Sequence, residues 1–202
     1  MSASEDTSFP RLVSLACHDL RTPLATVSGF AKTLTRVEGV DDKIARYLGL
    51  METASEQLGE LLEELNVAAR IAGGRYEPAP REVDTLKLAR AAAGRVEGVE
   101  AGGSGGSVEV DVEAVERALA AFASCLRRHG PVESVRIEVS GEELRLGPVT
   151  DAATPIVLGE ELRDLGSAVG RMVVEASGGS VAVTDAMLVI RLSGASGTGA
   201  GP

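Results

Sequence analysis

Between Ser8 and Ile71 the apolar residues recur at steps of four and three, and that rhythm leaves few folds open to the chain. Phe9, Val13, Ala16, Leu20, Leu24, Val27, Ala31 and Leu34 line one face of a helix predicted over Ser8 to Val37. A break follows at Gly39-Val40-Asp41-Asp42. Gly39 suits a helix stop, and Asp41 or Asp42 can accept hydrogen bonds from the free N–H groups of a second helix. That second helix is predicted over Lys43 to Ile71, where Ile44, Leu48, Met51, Ser55, Leu58, Leu62, Leu65 and Ala69 repeat the spacing. Two long amphipathic helices on a short turn make an antiparallel hairpin. A single hairpin cannot cover both of its apolar stripes. Each Leu or Val left wet forfeits about 1.5–3 kcal/mol, so pairing two hairpins into a four-helix bundle, as a homodimer, is the expected remedy.

The pattern changes after residue 72. Residues 73–80, Gly73-Gly74-Arg75-Tyr76-Glu77-Pro78-Ala79-Pro80, read as a linker, since glycines end the helix and prolines prevent its continuation. Residues 81–194 read as a small α/β domain. Helices are predicted over Val83 to Val96, Val112 to Arg128 and Leu165 to Ala176. Val135–Val139 and Glu143–Leu146 are a strand pair around Ser140-Gly141, and further strands fall at Ser180–Val183 and Leu188–Leu192. Ala101 to Ser107, rich in Gly and Ser, reads as a flexible loop. Residues 195–202 read as a disordered tail. The fold class expected is therefore α+β, a dimerising helical hairpin at 1–72 followed by a small α/β sandwich.

Composition removes several functions. With 44% hydrophobic residues the chain can pack a core, but with 2% aromatics that core is Ala, Val and Leu, and little is left for stacking bases. A formal net charge of −10 opposes phosphate backbones, so no nucleic-acid partner is expected. Cys17 and Cys125 form neither a CxxC pair nor a metal-ligand spacing, and both read as buried thiols in a reducing compartment. No metal site is predicted. The polar, acidic start is unlike a signal peptide, and no apolar run approaches the roughly 20 residues that span a bilayer, so a cytoplasmic location away from membranes is expected.

One segment carries chemistry: His18-Asp19-Leu20-Arg21-Thr22-Pro23-Leu24. His18 lies off the apolar stripe and should face outward. Pro23 inside a helix removes a hydrogen bond and crowds the carbonyl of Asp19, a cost of about 3 kcal/mol that suggests strain kept for a purpose. Thr22 follows His18 by one turn, on the same face. These residues resemble the phosphoacceptor box of sensor histidine kinases, His-(Glu/Asp)-Leu-Arg-(Thr/Asn)-Pro-Leu, and they match it throughout. The resemblance implies that His18 is the phosphoryl acceptor and that Asp19 holds its other ring nitrogen. It further implies that Thr22 positions water for dephosphorylating a partner. Arg21 can meet phosphate or a partner. A response-regulator receiver domain would dock along Ala25, Gly29 and Lys32 of the first helix and Tyr47, Leu50 and Met51 of the second.

The second domain resembles that family's ATP-binding domain in outline only. Alignment from Asp111 to Leu119 puts Cys125 where the magnesium-chelating Asn stands, with Ala121 in place of an Asn one turn earlier. A thiol is a poor Mg²⁺ ligand. No Asp-x-Gly-x-Gly turn follows Leu146, and Asp164-Leu165-Gly166-Ser167-Ala168 replaces Gly-Leu-Gly-Leu-Ala, setting a carboxylate where phosphate would lie. The resemblance therefore implies a phosphorelay protein without a cofactor of its own, with Mg²⁺ supplied by the receiver. This layout is similar to that of bacterial histidine phosphotransferases. Two other readings stay open: a divergent kinase that autophosphorylates His18, and a pseudokinase adaptor or response-regulator phosphatase using Thr22.

Overall fold

The structure, a computed structural model, describes residues 8–37 and 41–193. Gly39, expected as a helix stop, and residues 195–202, expected as a tail, lie outside the described residues. The chain divides into two compact units, one through Tyr76 and one from Glu77.

The first unit is a helical hairpin of α1 (Ser8–Thr35) and α2 (Asp42–Ala72). Asp41 opens α2 by accepting the Lys43 N–H at 2.9 Å, one of the four amide groups a helix start leaves free. Gly74 closes it at φ +63°, a left-handed backbone that costs glycine nothing. The apolar stripe divides into two layers at seven-residue spacing. Cys17, Leu24 and Ala31 of α1, with Leu48, Ser55, Leu62 and Ala69 of α2, are buried or half-buried in the hairpin seam. Leu20, Val27 and Leu34, with Ile44, Met51, Leu58 and Leu65, remain between 40% and 53% exposed. The hairpin thus satisfies half of its own pattern and leaves the other half open.

The second unit carries a five-stranded sheet in the order β2-β4-β5-β7-β6, formed by β2 (Val99–Gly105), β4 (Val135–Gly141), β5 (Glu143–Gly147), β6 (Ser180–Thr184) and β7 (Met187–Arg191). The β2–β4 pair is parallel and the others antiparallel. A separate antiparallel pair joins β1 (Arg81–Asp84) to β3 (Ser107–Val110). Helices α3 (Thr85–Gly94), α4 (Val112–His129) and α6 (Leu165–Ala176) complete the unit with a single-turn α5 (Thr154–Val157). Along β4, Val135, Ile137 and Val139 are buried while Arg136, Glu138 and Ser140 are exposed, the alternation of a sheet covered on one face. Phe122, Leu88, Leu119, Leu126, Ile137, Leu144 and Leu146 are fully buried between helices and sheet. A Cβ on Gly170 would lie 3.2 Å from the Ala118 Cα, so its absence lets α6 approach α4 closely.

Two expectations change here. Val83 belongs to β1, paired with Val108, and the helix starts only at Thr85, because Asp84 caps it by accepting the Lys87 N–H at 3.0 Å. Ala101 to Ser107 is ordered as β2 and the start of β3 rather than a loop. A Cβ on Gly103, at φ +121°, would lie 2.1 Å from the Val139 carbonyl oxygen, so glycine is there for close approach to β4. The tie between these segments is Thr85, fully buried. Its Oγ1 donates to the Gly141 carbonyl at 2.5 Å and accepts the Gly106 N–H at 3.0 Å.

Candidate functional site

The box occupies the middle of α1. Pro23 lies within the helix and has no N–H to offer the Asp19 carbonyl. The His18 side chain is 80% exposed, on a flank of α1 away from the buried Cys17. Its Nδ1 stands 3.2 Å from Asp19 Oδ1, although neighbours in sequence do not ordinarily face one another on a helix. Thr22 is exposed, and its carbonyl accepts the Thr26 hydroxyl at 3.0 Å. His18, Asp19 and Thr22 therefore share an open, wet surface, with ring nitrogen and carboxylate in contact. The surface is open and does not enclose a small molecule.

The residues chosen for partner contact separate into two groups. Ala25 is exposed, Gly29 has open space about it, and Tyr47, Leu50 and Met51 are 54%, 57% and 47% exposed. Arg21 and Lys32 are engaged within the hairpin. Arg21 pairs with Glu63 of α2, and Lys32 donates to Glu56 at 3.1 Å with Glu52 at 3.7 Å. Glu63, Glu52 and Glu56 were missed from sequence because helix spacing predicts neighbours along one helix, not across two. Their pairings run up α1 as they run down α2, following the antiparallel register of the hairpin.

In the α/β unit Asp111 caps α4, accepting the Ala114 N–H at 3.1 Å through one oxygen and the Ala79 N–H at 3.2 Å through the other. Asp164 is buried and caps α6, accepting the Ser167 N–H at 2.9 Å; its second oxygen takes Arg128 at 2.8 Å. Cys125 is fully buried close by. Burial pushes its thiol up to about 11; Ser167 lowers it, the Asp164 carboxylate raises it and Arg128 lowers it. His129 completes this group. The sequence reading gave Cys125 no metal-ligand spacing, yet His129 follows it by one helical turn, and the fold adds Asp164.

Comparison with known proteins agrees with this architecture. Residues 11–74 match the His Kinase A (phospho-acceptor) domain. The probable sensor histidine kinase TcrY of Mycobacterium tuberculosis is 31% identical over 87 residues, covering 43% of this chain and 18% of TcrY. Among solved structures, full-length ShkA in complex with AMPPNP has a TM-score of 0.67 at 19% identity, over 92% of this chain and 47% of that one. Acinetobacter baumannii histidine kinase AdeS has a TM-score of 0.56 at 17% identity, over 87% of this chain and 97% of that one. The chain thus spans about half of the ShkA chain and under a fifth of TcrY. A phosphoacceptor hairpin followed by a mixed α/β sheet domain defines the histidine-kinase architecture. The hairpin, residues 11–74, is a His Kinase A (phospho-acceptor) domain, and the unit that follows shares its fold with histidine kinases of known structure. Among the described residues no helix is long and apolar enough to cross a membrane.

Proposed function

We propose that the chain is a dimeric phosphorelay protein in which His18 accepts a phosphoryl group from one response-regulator receiver and donates it to another, without nucleotide of its own. The observation that carries the reading is the exposed His18 ring with Asp19 Oδ1 at 3.2 Å from Nδ1. In that arrangement Nδ1–H donates to the carboxylate and the Nε2 lone pair points to solvent. Nε2 attacks the phosphorus of a receiver's aspartyl phosphate. An N–P bond forms, the P–O bond breaks, and the aspartate carboxylate leaves with the electron pair. The ring keeps its Nδ1 proton, and the resulting positive charge is offset by Asp19. Return to a second receiver reverses these steps. Positioning and charge neutralisation supply the catalysis, and Mg²⁺ is held by the receiver.

His18, Ala25 and Lys32 lie seven residues apart on one line of α1. With Gly29, Tyr47 and Leu50 they form the proposed receiver footprint. Met51 borders it but also stands in the outward apolar layer, which the second hairpin covers.

The half of the reading that excludes nucleotide is supported by the donor set of the α/β unit. The residues present do not fit a magnesium triphosphate. Asp164 takes an N–H at the start of α6 that an anion would need and adds a buried negative charge beside it. Cys125 offers sulfur where a hard oxygen is wanted. The shared fold with ShkA, solved with AMPPNP, favours a second reading, autophosphorylation of His18 from ATP.

One experiment separates the readings. The chain and its His18→Ala variant are incubated with Mg-ATP and, separately, with phosphorylated receivers of the same organism. Acid-labile label on wild type from the receivers alone is the expected result. Label from Mg-ATP would establish the autokinase. Receivers that lose phosphate in a Thr22-dependent manner, with His18 never labelled, would establish a phosphatase instead.

A further inference from the structure

We infer that Cys125, His129 and Asp164 form a zinc site that clamps the end of α4 to the start of α6. One ligand atom from each, the Cys125 Sγ, a His129 ring nitrogen and an Asp164 carboxylate oxygen, lie within 4.8 Å of one another. Cys125 and His129, one turn apart, project from the same face of α4. Asp164 comes to them because it caps α6.

Helix capping and the ion pair with Arg128 account for Asp164. Neither accounts for His129, whose Nε2 is buried and makes no hydrogen bond although Asp164 Oδ2 is 3.4 Å away. Neither accounts for a fully buried thiol placed within reach of the same pair. Thiolate, imidazole and carboxylate together are the donor set of Zn²⁺, and the thiol turns Mg²⁺ and Ca²⁺ away. A tetrahedral zinc, with bonds of about 2.0–2.3 Å, holds its donors roughly 3.3–3.8 Å apart. The His129–Asp164 separation is already in that range, and the third donor needs a shift of about 1 Å to join them.

On binding, the Cys125 sulfur forms a bond to zinc and its proton passes to solvent. His129 gives its Nε2 lone pair. Asp164 Oδ2 exchanges Arg128 for the ion, while Oδ1 keeps the Ser167 N–H and so keeps α6 capped. The Arg128 side chain is 65% exposed and is free to turn outward. Water fills the fourth position from the side where His129 is partly exposed. No electron changes hands.

The test uses the full chain, stripped with a chelator under reducing conditions and titrated with Co²⁺ and then Zn²⁺. Stoichiometric cobalt with a thiolate-to-cobalt charge-transfer band and visible bands of tetrahedral intensity is expected. Zinc should displace it, excess Mg²⁺ should not, and the melting temperature should rise with zinc. Cys125→Ser should remove the charge-transfer band. His129→Gln, at a partly exposed position, should weaken affinity by at least about tenfold while leaving the metal-free melting temperature in place. Cys17→Ser should change nothing. No thiolate band in wild type, a band that survives in Cys125→Ser, or one lost in Cys17→Ser would overturn the site.

Discussion

The open apolar layer of the hairpin makes the dimer a quantitative prediction. Leu58 is 52% exposed and Val27 44% exposed in a single hairpin, and both stand in the layer that faces away from the seam. Burying such a side chain completely contributes about 1.5–3 kcal/mol, so covering the remaining half contributes about 0.7–1.5 kcal/mol for each. Twofold symmetry presents each residue twice. The Val27→Asp, Leu58→Asp double variant therefore removes roughly 3–6 kcal/mol of association energy before the cost of burying carboxylates is added. At about 1.4 kcal/mol per factor of ten, the dimer should weaken at least about 100-fold. Sedimentation equilibrium over a concentration series reads this directly. Gln57→Asp, exposed and outside the layer, is the matched control and should dimerise like wild type. Unchanged association of the double variant would show that the layer is not the seam, and the bundle would have to be abandoned.

Three further outcomes follow from particular contacts. Thr85→Val keeps the shape of the side chain but strands the Gly141 carbonyl and the Gly106 N–H; it should cost roughly 2–4 kcal/mol and lower the melting temperature of the α/β unit by about 8–15 °C. A melting point within a degree or two of wild type would mean that this tie contributes little. Arg21→Ala breaks a pair whose side chains are 45% and 37% exposed, so solvent screening limits the loss to less than about 1 kcal/mol in urea unfolding. In metal-free protein the Cys125 thiol sits at about 11 against an ordinary 9.0. The folded state thus holds that proton more tightly than the unfolded chain. Stability is full below about pH 9 and falls by roughly 2–3 kcal/mol as pH climbs towards 11. Urea midpoints at pH 8 and pH 10.5 should diverge more in wild type than in Cys125→Ala, and equal shifts would refute the assignment.

The hairpin was legible because its signal is periodic and local. Alternate steps of three and four carry both helices, and the Asp41 cap stands where a helix start requires one. The sequence alone did not separate the seam from the open layer, since Leu24 and Leu20 are the same residue type on the same stripe. Only the sister helix tells them apart. In the α/β unit, β4 and β5 announced themselves by alternation, whereas β2 did not. Its glycines are the usual sign of a loop, and the reason for them, backbone crowding at Val139, is a tertiary fact. Val83 was drawn into the following helix because one apolar residue fits either period. At the candidate site, the exposure of His18 followed from its place off the stripe. The Arg21–Glu63 pair did not, because it joins residues far apart in the chain. Cys125 and His129 were readable as a one-turn pair, but Asp164 joins them only once α6 has folded against α4.

The three long helices of the α/β unit all begin on an aspartate of the chain itself: Asp84, Asp111 and Asp164. Each carboxylate answers the partial positive charge that a helix carries at its first turn. The unit thus supplies the counter-charge at these helix starts from its own chain. The boundaries of these helices are thereby set at three single positions, and replacing any one aspartate by alanine would leave the N–H groups of that helix start without their partner.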